Sequence, residues 1–163
     1  MRTSFAIALG SNMRHVRYGA PAQILRATLC ALADGPVDVV SVAPILSSRP
    51  IGPSQRSYAN SAALIETELD PLALLDFLKQ LERRFGRREG GAAWRARPLD
   101  LDILLWSQGP FSAPGLCIPH VQLAHRSFVL TPLAQIAPRW RDPMTQLCIA
   151  HLKARLDRRR PCA

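Results

Sequence analysis

The stretch Asp100-Leu101-Asp102-Ile103-Leu104-Leu105-Trp106 restricts most tightly what this chain can fold into. It is an apolar run carrying two carboxylates one residue apart. Side chains alternate between faces along a strand, so residues i and i+2 project to one side, roughly 6 to 7 Å apart. That spacing lets two acids share one or two hard cations. Directly upstream, Trp94-Arg95-Ala96-Arg97-Pro98 is a basic, proline-marked loop, and Arg95 and Arg97 supply the positive charge that phosphate oxygens require beside such cations. Together they read as a metal-and-phosphate element. The motif alone also begins many ordinary strands, so the rest of the chain must carry the argument.

Phe5 to Leu9 is a short apolar run closed by Gly10-Ser11-Asn12, a buried strand followed by a turn. After the basic turn holding Arg14, His15 and Arg17, Pro21 suits a first helical turn. Ile24, Leu25, Thr28, Leu29 and Leu32 form the stripe of that helix, and Asp34-Gly35-Pro36 ends it. Val37 to Leu46, rich in β-branched residues, predicts a second strand, with Pro44 marking an edge or bulge near its far end. Arg49-Pro50-Ile51-Gly52-Pro53 is a stiff loop suited to ligand contact. Tyr58 to Leu69 predicts a third strand, with Asn60 near its start, where its amide can read a ligand's donors and acceptors or simply serve the turn.

Asp70-Pro71 pairs an N-cap residue with proline at the first helical position, so a helix runs to about Phe85, with Gly86 just past its end. Leu74, Leu78, Leu81 and Phe85 form its apolar stripe. Glu82 lies on the margin of that face, and a charge there either snorkels into solvent, the commoner outcome, or faces a site at the helix's C-terminal end. Arg83 to Trp94 is glycine-rich and basic and reads as a mobile loop from which Arg87 and Arg88 can reach a phosphate chain. Beyond the acidic strand, Gly109 to Gly115 reads as a loop. Ile118-Pro119-His120 opens a segment ending in Arg126-Ser127-Phe128, which offers a proton or phosphate partner, an anion clamp and a stacking ring. Pro132 to Ala137 predicts a short helix and Met144 to Arg160 a final one, basic at its end. The order β-α-β-β-α-β with a C-terminal helical addition predicts an α+β, ferredoxin-like antiparallel sheet forming one domain over residues 1–163.

Charge bears on the partner. A net charge of +9 points to an anionic one, and nucleotide, nucleic acid and acidic membrane all qualify. No run approaches the roughly 18 apolar residues of a membrane span, and Met1 to Gly10 is too short and too soon broken by glycine for a signal peptide, so a cytoplasmic protein is expected. Cys30, Cys117, Cys148 and Cys162 lack disulfide or zinc spacing and read as reduced thiols.

Several segments, in order, carry a family resemblance: Ala8-Leu9-Gly10-Ser11-Asn12, Pro50-Ile51-Gly52-Pro53, Tyr58-Ala59-Asn60, Leu81-Glu82, Gly86-Arg87, Arg97-Pro98-Leu99-Asp100-Leu101-Asp102-Ile103, Ile118-Pro119-His120 and Arg126-Ser127-Phe128-Val129-Leu130. From about Ser4 to Leu147 the chain resembles the 6-hydroxymethyl-7,8-dihydropterin pyrophosphokinase family of folate synthesis. The resemblance implies magnesium-dependent transfer of pyrophosphate from the co-substrate ATP to the hydroxymethyl group of a reduced pterin. By it, Asp100 and Asp102 hold two magnesium ions, and Asp100 also orients the pterin hydroxyl. Asn60 bonds the pterin edge, backbone from Ser48 through Pro50 to Ile51 touches it, and Tyr58 and Phe128 sandwich its ring. Glu82, Trp94, Arg97, Ile103, His120 and Arg126 line the ATP site, and Arg87 and Arg97 act catalytically on the phosphates beside Asp100 and Asp102.

The family pattern is kept better around the pterin and metal than around the nucleotide. Glu89 replaces a usual arginine, and Lys79, Ala93, Gly115 and Val121 also depart from common family residues. Two other readings use the same residues. A pterin-binding paralogue with altered substrate or no turnover keeps Tyr58, Asn60 and Phe128 without needing both acids. A basic ferredoxin-like nucleic-acid module would explain the charge, but it needs exposed strand aromatics where this chain has aliphatic residues and acids. The reading carried forward is an enzyme of small-molecule substrates, without nucleic-acid or membrane partners, expected as a monomer or weak homodimer.

Overall fold

The computed structural model describes residues 1–48, 57–86 and 98–158. β1 (Thr3–Ser11) leads through α1 (Pro21–Ala33) to β2 (Asp38–Val42), the short β3 (Leu46–Ser48) and β4 (Tyr58–Thr67). α2 (Pro71–Arg84) precedes β5 (Asp100–Trp106), a hairpin of β6 (Phe111–Ala113) and β7 (Leu116–Ile118), and then α3 (Ser127–Ile136) and α4 (Ile149–Arg158). The main sheet runs β2-β4-β1-β5, with β3 also paired to β4, and its pairings are antiparallel. This is the split βαβ, ferredoxin-like order the sequence predicts.

Alternation along the strands divides the interior into two cores. Phe5, Ile7 and Leu9 of β1 turn toward α1 and α2, where Ile24, Leu25, Leu32, Leu74, Leu78, Leu81 and Phe85 meet them. Fully burying one such side chain contributes about 1.5–3 kcal/mol, so this layer anchors the fold. Ala6 and Ala8 turn the other way, toward Val129, Leu130 and Leu133 of α3 and Ile149 and Leu152 of α4. α2 is fixed at both ends. Asp70 Oδ1 accepts the Ala73 N–H at 2.8 Å, and Gly86 leaves the helix with φ of 90°, a conformation glycine adopts without a Cβ penalty.

Four boundaries differ from the sequence expectation. The strand expected over Val37–Leu46 breaks into β2 and β3. Pro44 has no N–H for a ladder, and the Ala43 carbonyl instead accepts the Ser61 hydroxyl at 2.8 Å. The loop expected at Gly109–Gly115 contains the β6–β7 hairpin, anchored by Phe111 set edge-on to Trp106 at 6.0 Å. α3 begins at Ser127, and Pro132, expected to start a helix, lies buried inside it. The final helix starts at Ile149 because Asp142 organises the preceding residues: it accepts the Met144 N–H at 3.0 Å and the Thr145 hydroxyl at 2.6 Å.

Candidate active site

Strand register assembles a polar row at the end of the sheet. Gly10 of β1 pairs with Asn60 of β4 on one side and with Asp100 of β5 on the other. Ala8 pairs in the same way with Ala62 and Asp102. These residues alternate with Leu9, Ala59 and Leu101, which enter the core against α1 and α2. The acids and the amide therefore share the opposite face. A Cβ added at Gly10 would lie 3.4 Å from Asn60 Oδ1 and 4.0 Å from the Asp100 carbonyl oxygen. Glycine keeps the floor between them clear.

A pocket of about 50 Å³ opens over this floor, lined by Gly10, Asn60, Ser61, Asp100 and Asp102 together with Arg126, Phe128 and Val129. The start of α3 places Phe128 at its mouth, half exposed, with the Arg126 guanidinium carbon 5.7 Å from the ring centroid. Tyr58 begins β4 opposite Ser48 of β3 and projects to the same side as Asn60, two residues on.

A second cavity, of about 400 Å³, lies between β5, α2 and the β6–β7 hairpin. Leu75, Leu101, Ile103, Leu116 and Val121 give it apolar walls, and Asp102, Ser112, Cys117 and His120 bring polar groups to it. Asp102 borders both cavities. His120 Nε2 stands 4.0 Å from Asp102 Oδ1. Its Nδ1 accepts the Gln122 N–H at 3.1 Å, so the neutral ring carries its proton on Nε2, facing the carboxylate.

Glu82 is not the solvated helix charge that is commoner at such a position. It is only 2% exposed, and its Oε1 accepts the Leu101 N–H at 2.8 Å, tying the end of α2 to the residue between the two acids. Asp102 is 36% exposed, so the acids keep an open side. Among the described residues no group of three or more His, Cys, Asp or Glu side chains gathers as a metal site. Two hard carboxylates beside a cavity instead suit magnesium, which is usually held by one or two carboxylates, waters and substrate phosphates.

The structure thus brings Asn60, Asp100, Asp102, Arg126 and Phe128 to one pocket, and Asp102, Ile103 and His120 to the other. Arg126, expected at the nucleotide, lines the smaller pocket beside Phe128. Pro50, Ile51, Arg87, Trp94 and Arg97 lie outside the described residues. Sequence reading assigned no site role to Gly10, Leu75 or Cys117. Gly10 had a signal, a glycine at the end of a buried strand; Leu75 and Cys117 had none, since either type is ordinary on a helix or hairpin.

The sequence model of the family described as 7,8-dihydro-6-hydroxymethylpterin-pyrophosphokinase (HPPK) matches residues 6–138. The 2-amino-4-hydroxy-6-hydroxymethyldihydropteridine pyrophosphokinase of Pseudomonas aeruginosa is 40% identical over 139 residues, covering 84% of this chain and 82% of the relative. Its Haemophilus influenzae counterpart is 38% identical over 153 residues, covering 93% and 92%. Among solved structures, wild-type Plasmodium falciparum HPPK-DHPS superposes with a TM-score of 0.73 at 13% identity, which is a likeness of fold. That match takes in 95% of this chain but spans only 41% of the larger one.

Proposed function

Because the chain belongs to the 7,8-dihydro-6-hydroxymethylpterin-pyrophosphokinase family, we propose that it transfers pyrophosphate from ATP to 6-hydroxymethyl-7,8-dihydropterin in folate biosynthesis. The products are the pterin diphosphate and AMP. One observation carries the reading: Asp102 stands where a small polar pocket meets a larger, partly apolar cavity. A donor and an acceptor lodged on either side would meet at the carboxylate pair. The two acids and Asn60 also disfavour an RNA-binding use of this sheet end, since acids repel a phosphate backbone.

The smaller pocket takes the pterin. Asn60 bonds its edge, Phe128 stacks on its ring with Tyr58 across from it, and backbone from Ser48 through Pro50 to Ile51 completes the contact. Asp100, in one row with Asn60, orients the hydroxymethyl oxygen. The larger cavity takes the nucleotide, with Ile103 in its wall and His120 donating from Nε2, and Glu82 and Trp94 belong to the same site by family analogy. Asp100 and Asp102 would hold magnesium, two ions by family analogy, and when bound it would neutralise triphosphate charge as the phosphoryl group transfers. Arg87, Arg97 and Arg126 add positive charge around the phosphates. The pterin oxygen forms its bond to the β-phosphorus as the bond from that phosphorus to the α,β-bridging oxygen breaks; AMP leaves with that oxygen, and the hydroxyl proton is released to solvent. No side chain becomes covalently attached, so positioning and charge neutralisation carry the rate.

No helix among the described residues is long and apolar enough to cross a membrane, and a cytoplasmic monomer or weak homodimer acting on small molecules completes the proposal. Incubating the chain with ATP, magnesium and 6-hydroxymethyl-7,8-dihydropterin should yield AMP and the pterin diphosphate. Chelation should stop the reaction and added magnesium restore it. Pterin binding without any AMP formation by the intact chain would overturn the proposal in favour of a binding paralogue.

A further inference from the structure

Among the described residues β5 is the terminal strand of its sheet, so the backbone groups along its outer edge meet no further strand of the main sheet there. Hydrogen bonds from other elements fall on that edge. The Leu101 N–H donates to Glu82 Oε1 at 2.8 Å, and the Leu104 carbonyl accepts the His120 N–H at 3.0 Å. Between them lies Asp102. An exposed strand edge ordinarily gives its N–H groups to water, so holding one by a carboxylate that is only 2% exposed is a costly arrangement. What it secures is position. An N–H to carboxylate bond is shorter and about twice as strong as a neutral one, and it falls on the residue that separates the two acids.

We infer that Glu82 is a positioning residue for the reaction, acting through the Leu101 amide to fix the edge of β5, and with it the Asp100 and Asp102 pair, against α2. The inference rests on the pyrophosphokinase reading, since it gives the fixed pair its task. α2 packs its Leu74, Leu78 and Leu81 into the main core, so Glu82 refers the acids to the most rigid layer of the molecule. His120 does the same from the far side of Asp102, by its backbone. Leu101 itself is anchored by its buried side chain, which leaves rotation and slippage of the edge as the freedoms that Glu82 removes.

The test uses the full chain with Glu82→Ala and Glu82→Gln. Hydrogen exchange of the Leu101 amide is followed without ligand, and binding of a non-hydrolysable ATP analogue is titrated by calorimetry across magnesium concentrations. Pterin affinity is measured separately. Glu82→Ala should expose the Leu101 amide to faster exchange and raise the magnesium needed for half-maximal analogue binding by about 10-fold to 100-fold, the loss usual for outer partners of metal ligands. Glu82→Gln, which keeps an acceptor, should recover much of both effects, and neither variant should change pterin affinity as strongly. Faster exchange with an unmoved magnesium requirement would reduce Glu82 to a structural residue and overturn the inference. Unchanged exchange in both variants with equal loss of analogue binding would also overturn it, because the carboxylate would then act on the nucleotide directly. Should the alanine variant fail to fold, Glu82→Asp, whose shorter side chain withdraws the carboxylate from the Leu101 amide, decides by the same two readings. Analogue binding by the wild-type chain that ignores magnesium would overturn the pyrophosphokinase reading as well, whereas a wild-type dependence left unmoved in the variants overturns this inference alone.

Discussion

The two faces of the β4-β1-β5 sheet are built to different rules. Toward α1 and α2 the strands present Phe5, Ile7, Leu9, Ile65, Leu101 and Ile103, all buried and filling the space beneath the helices. Toward α3 and α4 they present the small Ala6, Ala8 and Ala62 beside the buried Leu104 and Leu105, with Gly10 at the end of the row. Both faces are packed, but the second thins toward its end. There, where α3 meets the sheet, volume removed from β1 becomes the floor of a pocket between Asn60 and Asp100. The smaller pocket opens from that thinned end, while Leu101 and Ile103 of the filled face also wall the larger cavity.

Substitutions on either face should separate cleanly if that division holds. The largest effect is expected at Asp102, which borders both cavities. Asp102→Ala should lower turnover by about 10²–10³-fold, the loss typical of removing one electrostatic stabiliser, with the thermal midpoint nearly unchanged. AMP release assays beside thermal unfolding check it, and a large fall in midpoint would mean the acid belongs to the fold rather than the chemistry. Leu25→Ala, whose side chain fills that face from α1 and lines neither cavity, should do the reverse. Deleting a buried leucine there costs about 2–5 kcal/mol of stability, read by denaturant unfolding, with the KM for both substrates preserved in the folded fraction. Gly10→Ala should lie between. Its methyl enters the pocket floor 3.4 Å from Asn60 Oδ1, an ordinary contact, so the change should appear as weaker pterin binding rather than as unfolding. Equal loss of pterin and nucleotide affinity in that variant would show that the two cavities are not separate subsites.

The filled face was the more legible of the two. Its residues are large and alternate with period two or stripe a helix, and the Asp70-Pro71 start of α2 carries its own capping chemistry. The acids were readable too, because any strand holds Asp100 and Asp102 on one side. Burial of Glu82 was not, since a residue on the margin of a helical stripe turns inward only if a partner waits there, and the Leu101 amide is brought by a strand edge nineteen residues away. The β6–β7 hairpin escaped for a different reason. Three-residue strands around Pro114-Gly115 have too few side chains to show a period, and what fixes them is Phe111 against Trp106. Pro132 reads as a helix start until Ser127 and Phe128 are seen one turn earlier, and Met144 to Gln146, expected in the final helix, fall in the loop that Asp142 builds. Gly115 and Val121, which depart from the family pattern, both face the larger cavity.

Ser11 gives the comparison its finest test. It follows Leu9 on the filled face, pairs with Ala59 across the ladder, and is 5% exposed. Its hydroxyl has no hydrogen-bond partner among the described residues, unlike Thr28 on the same side, whose hydroxyl donates to the Ile24 carbonyl at 2.8 Å. A buried hydroxyl left unbonded costs stability that an apolar atom in its place does not. If the filled face serves stability alone, Ser11→Ala should raise stability by about 1 kcal/mol, seen as a higher unfolding midpoint, and leave AMP formation as it was. A variant that is more stable yet slower would break the division, because the hydroxyl would then find its partner only when substrate is bound, and the filled face would reach into the site at its last residue.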